Sequence, residues 1–104
     1  MSGLNQCVLV GRLCADPEIT YLADGKALAK FTVAVNRNFK NKATGEYEAD
    51  FIRCVAWQQT AEFIGQYLTK GRLIGLSGRI QVRSYEKDGE RRYMTEIIVK
   101  HHFG

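Results

Sequence analysis

The chain has 104 residues, 45% hydrophobic and 25% charged, with a formal net charge of +4. That composition suits one globular domain with a real core and leaves no room for two. No apolar run approaches the roughly 20 residues of a membrane helix, and the start, MSGLNQCVLVGRL, lacks the basic, apolar and cleavage regions of a signal peptide. A soluble cytoplasmic protein is expected. The modest basic excess fits a polyanionic partner without demanding one.

In chain order, residues 6–13 read as a first strand, in which Gly11 marks a bulge or a close backbone approach. A turn at Asp16-Pro17, a short strand from Glu18 to Leu22 and a second turn at residues 23–26 follow. Residues 27–36 (ALAKFTVAVN) form a long strand with Phe31, Val33 and Val35 on one face, and the next segment, NFKNKATGEYE, reads as a polar loop. A strand over ADFIRCVAW ends at Trp57. The period then changes: Ala61, Ile64 and Leu68 fall on one helical stripe, with Thr60 as the expected N-cap and Gly71 as the stop. RLIGLSGRIQVRSYE is a long strand that Gly75 and Gly78 should bend. Asp88-Gly89 makes a hairpin, and residues 92–100 form the last strand.

Three strands, a helix and two hairpin-joined strands fit a five-stranded all-β barrel of OB type, since bent strands favour closure. An open α+β sandwich fits the same string. Cys7, Cys14 and Cys54 are odd in number and lack a C-x-x-C pair, so reduced structural thiols are expected. His101 and His102 read as an exposed tail. Asp16, Glu18 and Asp24 are better explained by turns than by catalysis, and neither cofactor, metal site nor enzymatic constellation is expected.

The chemistry lies in how rings and charges alternate. In residues 51–57, Phe51, Arg53, Val55 and Trp57 share one face, and Ile52, Cys54 and Ala56 the other. If the small apolar face makes the core, both large rings point outward beside a cation. In residues 79–87, Arg79, Gln81, Arg83, Tyr85 and Lys87 alternate with Ile80 and Val82, which are expected in the core. Phe39 sits between Asn38 and Lys40, with Arg37 and Lys42 nearby. Rings among cations are what unpaired nucleic acid requires: bases stack on the rings at roughly 1–3 kcal/mol each, and cations follow the phosphates. A core role for Phe51 and Trp57, a cross-strand role for Tyr85, and a patch that binds protein or structured RNA are the competing readings.

The segments NQCVLVGRL, DPE, AKFTVAVNRNFK, KATGE, ADFIRCVAW, GRIQVRSY and RYMTEIIV closely resemble the bacterial single-stranded DNA-binding proteins, over nearly the whole chain and with spacing preserved. The resemblance implies an OB fold, a homotetramer and a role in coating single strands during replication, recombination and repair, on the nucleoid. It places base-stacking rings at Phe39, Phe51, Trp57 and Tyr85. Some members of that family carry tryptophan at the positions of Phe39, Phe51 and Tyr85, and phenylalanine at Trp57. Phosphate contacts are expected from Arg37, Lys40, Lys42, Arg53, Arg79, Arg83 and Lys87, and also from Arg91 and Arg92. Val8 and Val10 on the first strand are expected to pair with another copy. Longer members of the family end in an acidic tail that recruits partners; this sequence stops at HHFG, so tail-mediated partners are not expected. It reads either as the DNA-binding core of a longer protein or as one of the short forms linked to DNA uptake or phage.

Overall fold

A computed structural model describes residues 3–103. Its elements are β1 (Cys7–Leu13), β2 (Glu18–Tyr21), β3 (Ala27–Lys40), β4 (Tyr47–Trp57), α1 (Gln58–Tyr67), β5 (Leu73–Lys87) and β6 (Glu90–Phe103). The strands are ordered β1-β5-β6-β4-β3-β2, and β1 returns to β3 through Arg12↔Ala34 and Leu13↔Val33. That return closes β1, β3, β4, β5 and β6 into a barrel, while β2 pairs with the beginning of β3. All pairings are antiparallel except a short parallel contact at Cys54↔Ile97 and Val55↔Ile98. With its helix between the third and fourth barrel strands, this is the OB layout.

The interior follows the two-residue period. Ala27, Ala29, Phe31 and Val33 enter it from β3, Cys54 and Ala56 from β4, Ile74 and Leu76 from β5, and Ile97 and Val99 from β6. Ala61, Ile64 and Leu68 from the helical stripe join the same cluster. A barrel this small is filled by side chains and holds no channel. Closure demands close backbone contact. A methyl on Gly11 would lie 2.5 Å from the Ala34 carbonyl oxygen, and one on Gly78 would overlap the Ile98 carbonyl, beside the register shift at Ser77/Gly78. The expected role of Gly11 is thus a close approach.

Two hairpins extend beyond the barrel. The radius of gyration is 15.4 Å, against about 13 Å for a compact domain of this length. The accessible surface is 7651 Å², against about 5,900 Å² for a compact monomer of this mass.

Several expectations need correction. The segment after Asn36 is not a loop: β3 runs on to Lys40, and Phe39 lies on the strand of a hairpin. The turn is confined to residues 41–46, where Asn41 Oδ1 accepts the Ala43 amide hydrogen at 2.8 Å. Polar residues on both faces resemble a loop, but here they mark a strand pair with solvent on both sides. Thr60 is not the N-cap; Trp57 occupies that position, without a side-chain cap bond, and Gln58 turns the chain with φ 55°. Ile80 and Val82 are not in the core but 45% and 58% exposed, because β5 has left the barrel by then. His101 and His102 continue β6, and the His102 ring stacks on Phe63 at 4.4 Å. The Asp88-Gly89 hairpin forms as expected, with φ of 54° and 78°, both positive as a tight hairpin turn requires.

Candidate nucleic-acid interface

On β4 the alternation of residues 51–57 resolves clearly. Cys54 and Ala56 are buried, whereas Phe51 is 70% and Trp57 39% exposed, with Arg53 between them on the same face. Val55 shares that face by alternation but is buried, at the point where β6 runs alongside. The register with β3 pairs Phe51 with Ala34, Arg53 with Thr32, Val55 with Lys30 and Trp57 with Leu28. Lys30 thus stands on the ring-bearing face, because Ala29 and Phe31 on either side of it are buried.

The β5–β6 hairpin meets this face and forms two depressions. Phe51, Arg53, Tyr85, Tyr93 and Met94 line a cleft of about 460 Å³. Next to it, Lys30, Arg53, Arg83, Met94 and Glu96 line a notch of about 230 Å³. Both depressions share Arg53 and Met94. Trp57 lies at the helix end of the same face of β4, about 20 Å from Phe51 at the strand rise.

Charges here fall into two groups. Some are answered within the protein: Arg37 binds Asp50 (Nη2 to Oδ1, 2.9 Å) and Glu48 (3.2 Å), and Arg83 Nε donates to buried Glu96 at 3.1 Å. The hydrogen bond from Arg37 holds the Asp50 carboxyl below its ordinary 3.8, and Asp50 in turn keeps the guanidinium more firmly protonated. Arg92 lies 3.5 Å from Glu90, and Arg79 donates to the side-chain oxygen of Gln81 at 2.8 Å. Lys40 stands 5.6 Å from the centre of the Tyr47 ring, a cation–π contact. Among the described residues, Lys30, Lys42, Arg53, Lys87 and Arg91 have no ion pair and remain available to an outside anion.

The expected residues do not form one cluster. Phe51, Arg53, Arg83 and Tyr85 converge at the two depressions. Phe39, 66% exposed, is carried with Lys40 on the β3–β4 hairpin, past the register shift after Asn36, and Lys42 stands in its turn. Lys87 flanks the β5–β6 turn, and Arg91 and Arg92 lie just beyond it. Arg79 lines a separate depression with Leu4, Asn5 and Lys100. Sequence reasoning missed Lys30 and Tyr93, the latter 68% exposed. Alternation of ALAKFTVAVN places Lys30 outward, whereas counting back from Asp88-Gly89 brings Tyr93 opposite Ser84, so its side chain leaves the opposite face from Tyr85.

Asp16 and Asp24 serve the turns. Asp16 Oδ1 accepts the Lys70 amide hydrogen at 2.8 Å, and Asp24 Oδ1 that of Lys26 at 3.1 Å. All three cysteines are free thiols, and burial pushes Cys54 up to about 12, with the nearby Cys7 adding a smaller effect.

A closed OB barrel that presents rings and unpaired cations on one outer face defines a class of single-strand binders. The chain belongs to the single-strand binding protein family, whose model matches residues 4–103. It is 54% identical to single-stranded DNA-binding protein 3 of Listeria innocua over 93% of this chain and 61% of that protein. It is 53% identical to the single-stranded DNA-binding protein of Enterococcus faecalis over 91% of this chain and 50% of that protein. The corresponding protein of Halalkalibacterium halodurans is also 53% identical, over 93% and 58%. The chain thus spans half to about three-fifths of the length of these relatives.

Proposed function

We propose that this protein binds single-stranded DNA without sequence preference and without enzymatic action, stacking bases on aromatic rings and meeting phosphates with lysine and arginine. The observation that carries this reading is the convergence of Phe51, Tyr85 and Arg53 on one cleft outside a fully packed barrel. Rings left in water by a folded domain cost free energy unless a partner covers them, and unpaired bases offer flat faces that duplex DNA keeps hidden. Phe39 and Trp57 extend the stacking surface in two directions. Phosphates meet Lys40, Lys42, Arg53, Lys87 and Arg91 first; Arg37, Arg79, Arg83 and Arg92 contribute field and geometry while holding their internal partners. In the cell this activity coats and protects exposed strands in the cytoplasm, on the nucleoid, during replication, recombination and repair or during DNA uptake.

The protein acts as a homo-oligomer, with a tetramer the expected form. Support comes from β1, where Val8 and Val10 are 60% and 54% exposed. Pairing of β1 with β3 is confined to Arg12 and Leu13, so its earlier residues have one open edge. Such an edge invites pairing with another copy. Ile80 and Val82 add further apolar surface on the neighbouring strand.

Equilibrium binding of oligo-dT, a mixed-sequence single strand and a duplex, across a salt series, tests the reading. Comparable affinity for both single strands, weaker duplex binding and a linear fall of log affinity with log salt are expected. Equal affinity for duplex, or no salt dependence, would refute it.

A further inference from the structure

We propose that the notch beside the cleft is a phosphate seat, in which Lys30 of β3 and Arg53 of β4 hold one phosphate of the bound strand between them. This rests on the single-strand reading above and adds to it a cation from a strand where none was expected.

Alternation puts both cations on one face. Lys30 lies between buried Ala29 and Phe31, and exposed Arg53 precedes buried Cys54, so both side chains leave the barrel outward. The register sets Arg53 opposite Thr32, and Val55 opposite Lys30. Arg53 is therefore the diagonal neighbour of Lys30, about 7–8 Å away between backbones. Two long side chains close that gap onto a single anion. Lys30, Thr32 and Arg53 all line the notch, and the Thr32 hydroxyl adds a neutral donor of a kind that also meets phosphates.

The one carboxylate lining the notch is already answered. Glu96 is 6% exposed and carries a charge that needs a permanent partner. Arg83 is that partner, through Nε at 3.1 Å, so its charge is spent. Lys30 and Arg53 have no ion pair among the described residues. Two positive charges thus remain on adjacent strands; they repel in the free protein, and an anion between them relieves that. The position suits a strand of DNA. Along β4 the seat stands between Phe51 and Trp57, and Arg53 also borders the cleft that Phe51 and Tyr85 line. A phosphate held there lies on the line that joins the stacking rings.

The test uses the whole chain, with oligo-dT and an abasic deoxyribose-phosphate strand of equal length as probes. Lys30→Gln and Arg53→Gln should each weaken both probes by the same factor, about two- to five-fold. The double variant should lose less than the product of the two factors, because removing either cation already ends the repulsion that the phosphate relieves. Its log–log salt slope should fall by about 0.7 in total, one phosphate's worth. Both positions are exposed, and thermal melts matching the parent establish that each variant is folded. Losses that multiply, or a slope that falls by about 1.4, would assign the cations to separate phosphates and overturn the shared seat. Losses confined to oligo-dT would overturn it too, by placing the two side chains on bases. If both single variants bind like the parent while Trp57→Ala loses affinity, the seat is wrong and the single-strand reading stands. A parent protein that fails to prefer oligo-dT to duplex defeats the underlying reading instead.

Discussion

The barrel and the two hairpins that leave it are made of the same strands, yet they treat apolar side chains in opposite ways. On β3, Ala27, Ala29, Phe31 and Val33 are buried, and past Val35 every residue to Lys40 is exposed. On β5, Ile74 and Leu76 are buried, while Ile80, Val82 and Tyr85 are exposed. Burial thus accounts for the residues of the barrel, and contact with something outside the chain accounts for those of the hairpins. Alternation reports burial only where one face of a strand meets a core. Beyond that point the same pattern reports two surfaces, one with rings and cations and one with Ile80 and Val82.

Mutations should separate these two regions. The largest effect is expected from Ile64→Ala, which empties a fully buried site under the helix: a loss of roughly 2–5 kcal/mol of stability, measured by denaturant unfolding, with DNA affinity of the folded fraction retained. Loss of DNA affinity at unchanged stability would blur the division. Trp57→Ala should do the reverse. Oligo-dT binding should weaken by more than about 1 kcal/mol while the melting temperature stays within a few degrees of the parent. If the melt collapses instead, Trp57 belongs to the barrel and the face assignment is inverted.

Two smaller effects concern protons. The Cys54 thiol is pushed up to about 12 from an ordinary 9.0. The unfolded chain therefore ionises first as pH rises, and stability should fall above pH 9.0, by at most about 1.4 kcal/mol per pH unit. Cys54→Ala should flatten that fall, and an unchanged pH profile would speak against a buried neutral thiol. The smallest effect belongs to the β3–β4 hairpin. Asp50 is held below its ordinary 3.8 by Arg37, so its contribution is present above that value and is lost as pH falls through the lower, folded one. Both side chains are half exposed, so only a slight acid-side loss is expected, absent in Asp50→Asn. A large acid-side change in Asp50→Asn would assign the pair a structural weight that the open hairpin does not suggest.

How far the sequence could be read divides along the same line. Element order, the helical stripe of Ala61, Ile64 and Leu68, and the outward placement of Phe51 and Trp57 all follow from period and small-residue pattern, because each has a buried side opposite an exposed one; closure into a barrel does not, since an open sandwich fits the same string. Phe39 reads as a loop residue because a hairpin wet on both faces has no periodic signal to show. Ile80 and Val82 read as core residues because nothing local reveals where β5 leaves the barrel. The pairing of Arg37 with Asp50 and of Arg83 with Glu96 depends on partners 13 residues away, and the charge count along the chain could not reveal which cations are already satisfied.

The most direct test of the central claim is the fluorescence of Trp57, the one tryptophan in the chain, during titration with oligo-dT and with a duplex of equal length, at low and at high salt. Strong quenching by the single strand alone, shifted to higher DNA concentration but still present at high salt, is the predicted result and would place bases on that ring. An unchanged signal, or an equal response to duplex, would contradict the account and return Trp57 to the protein's own packing.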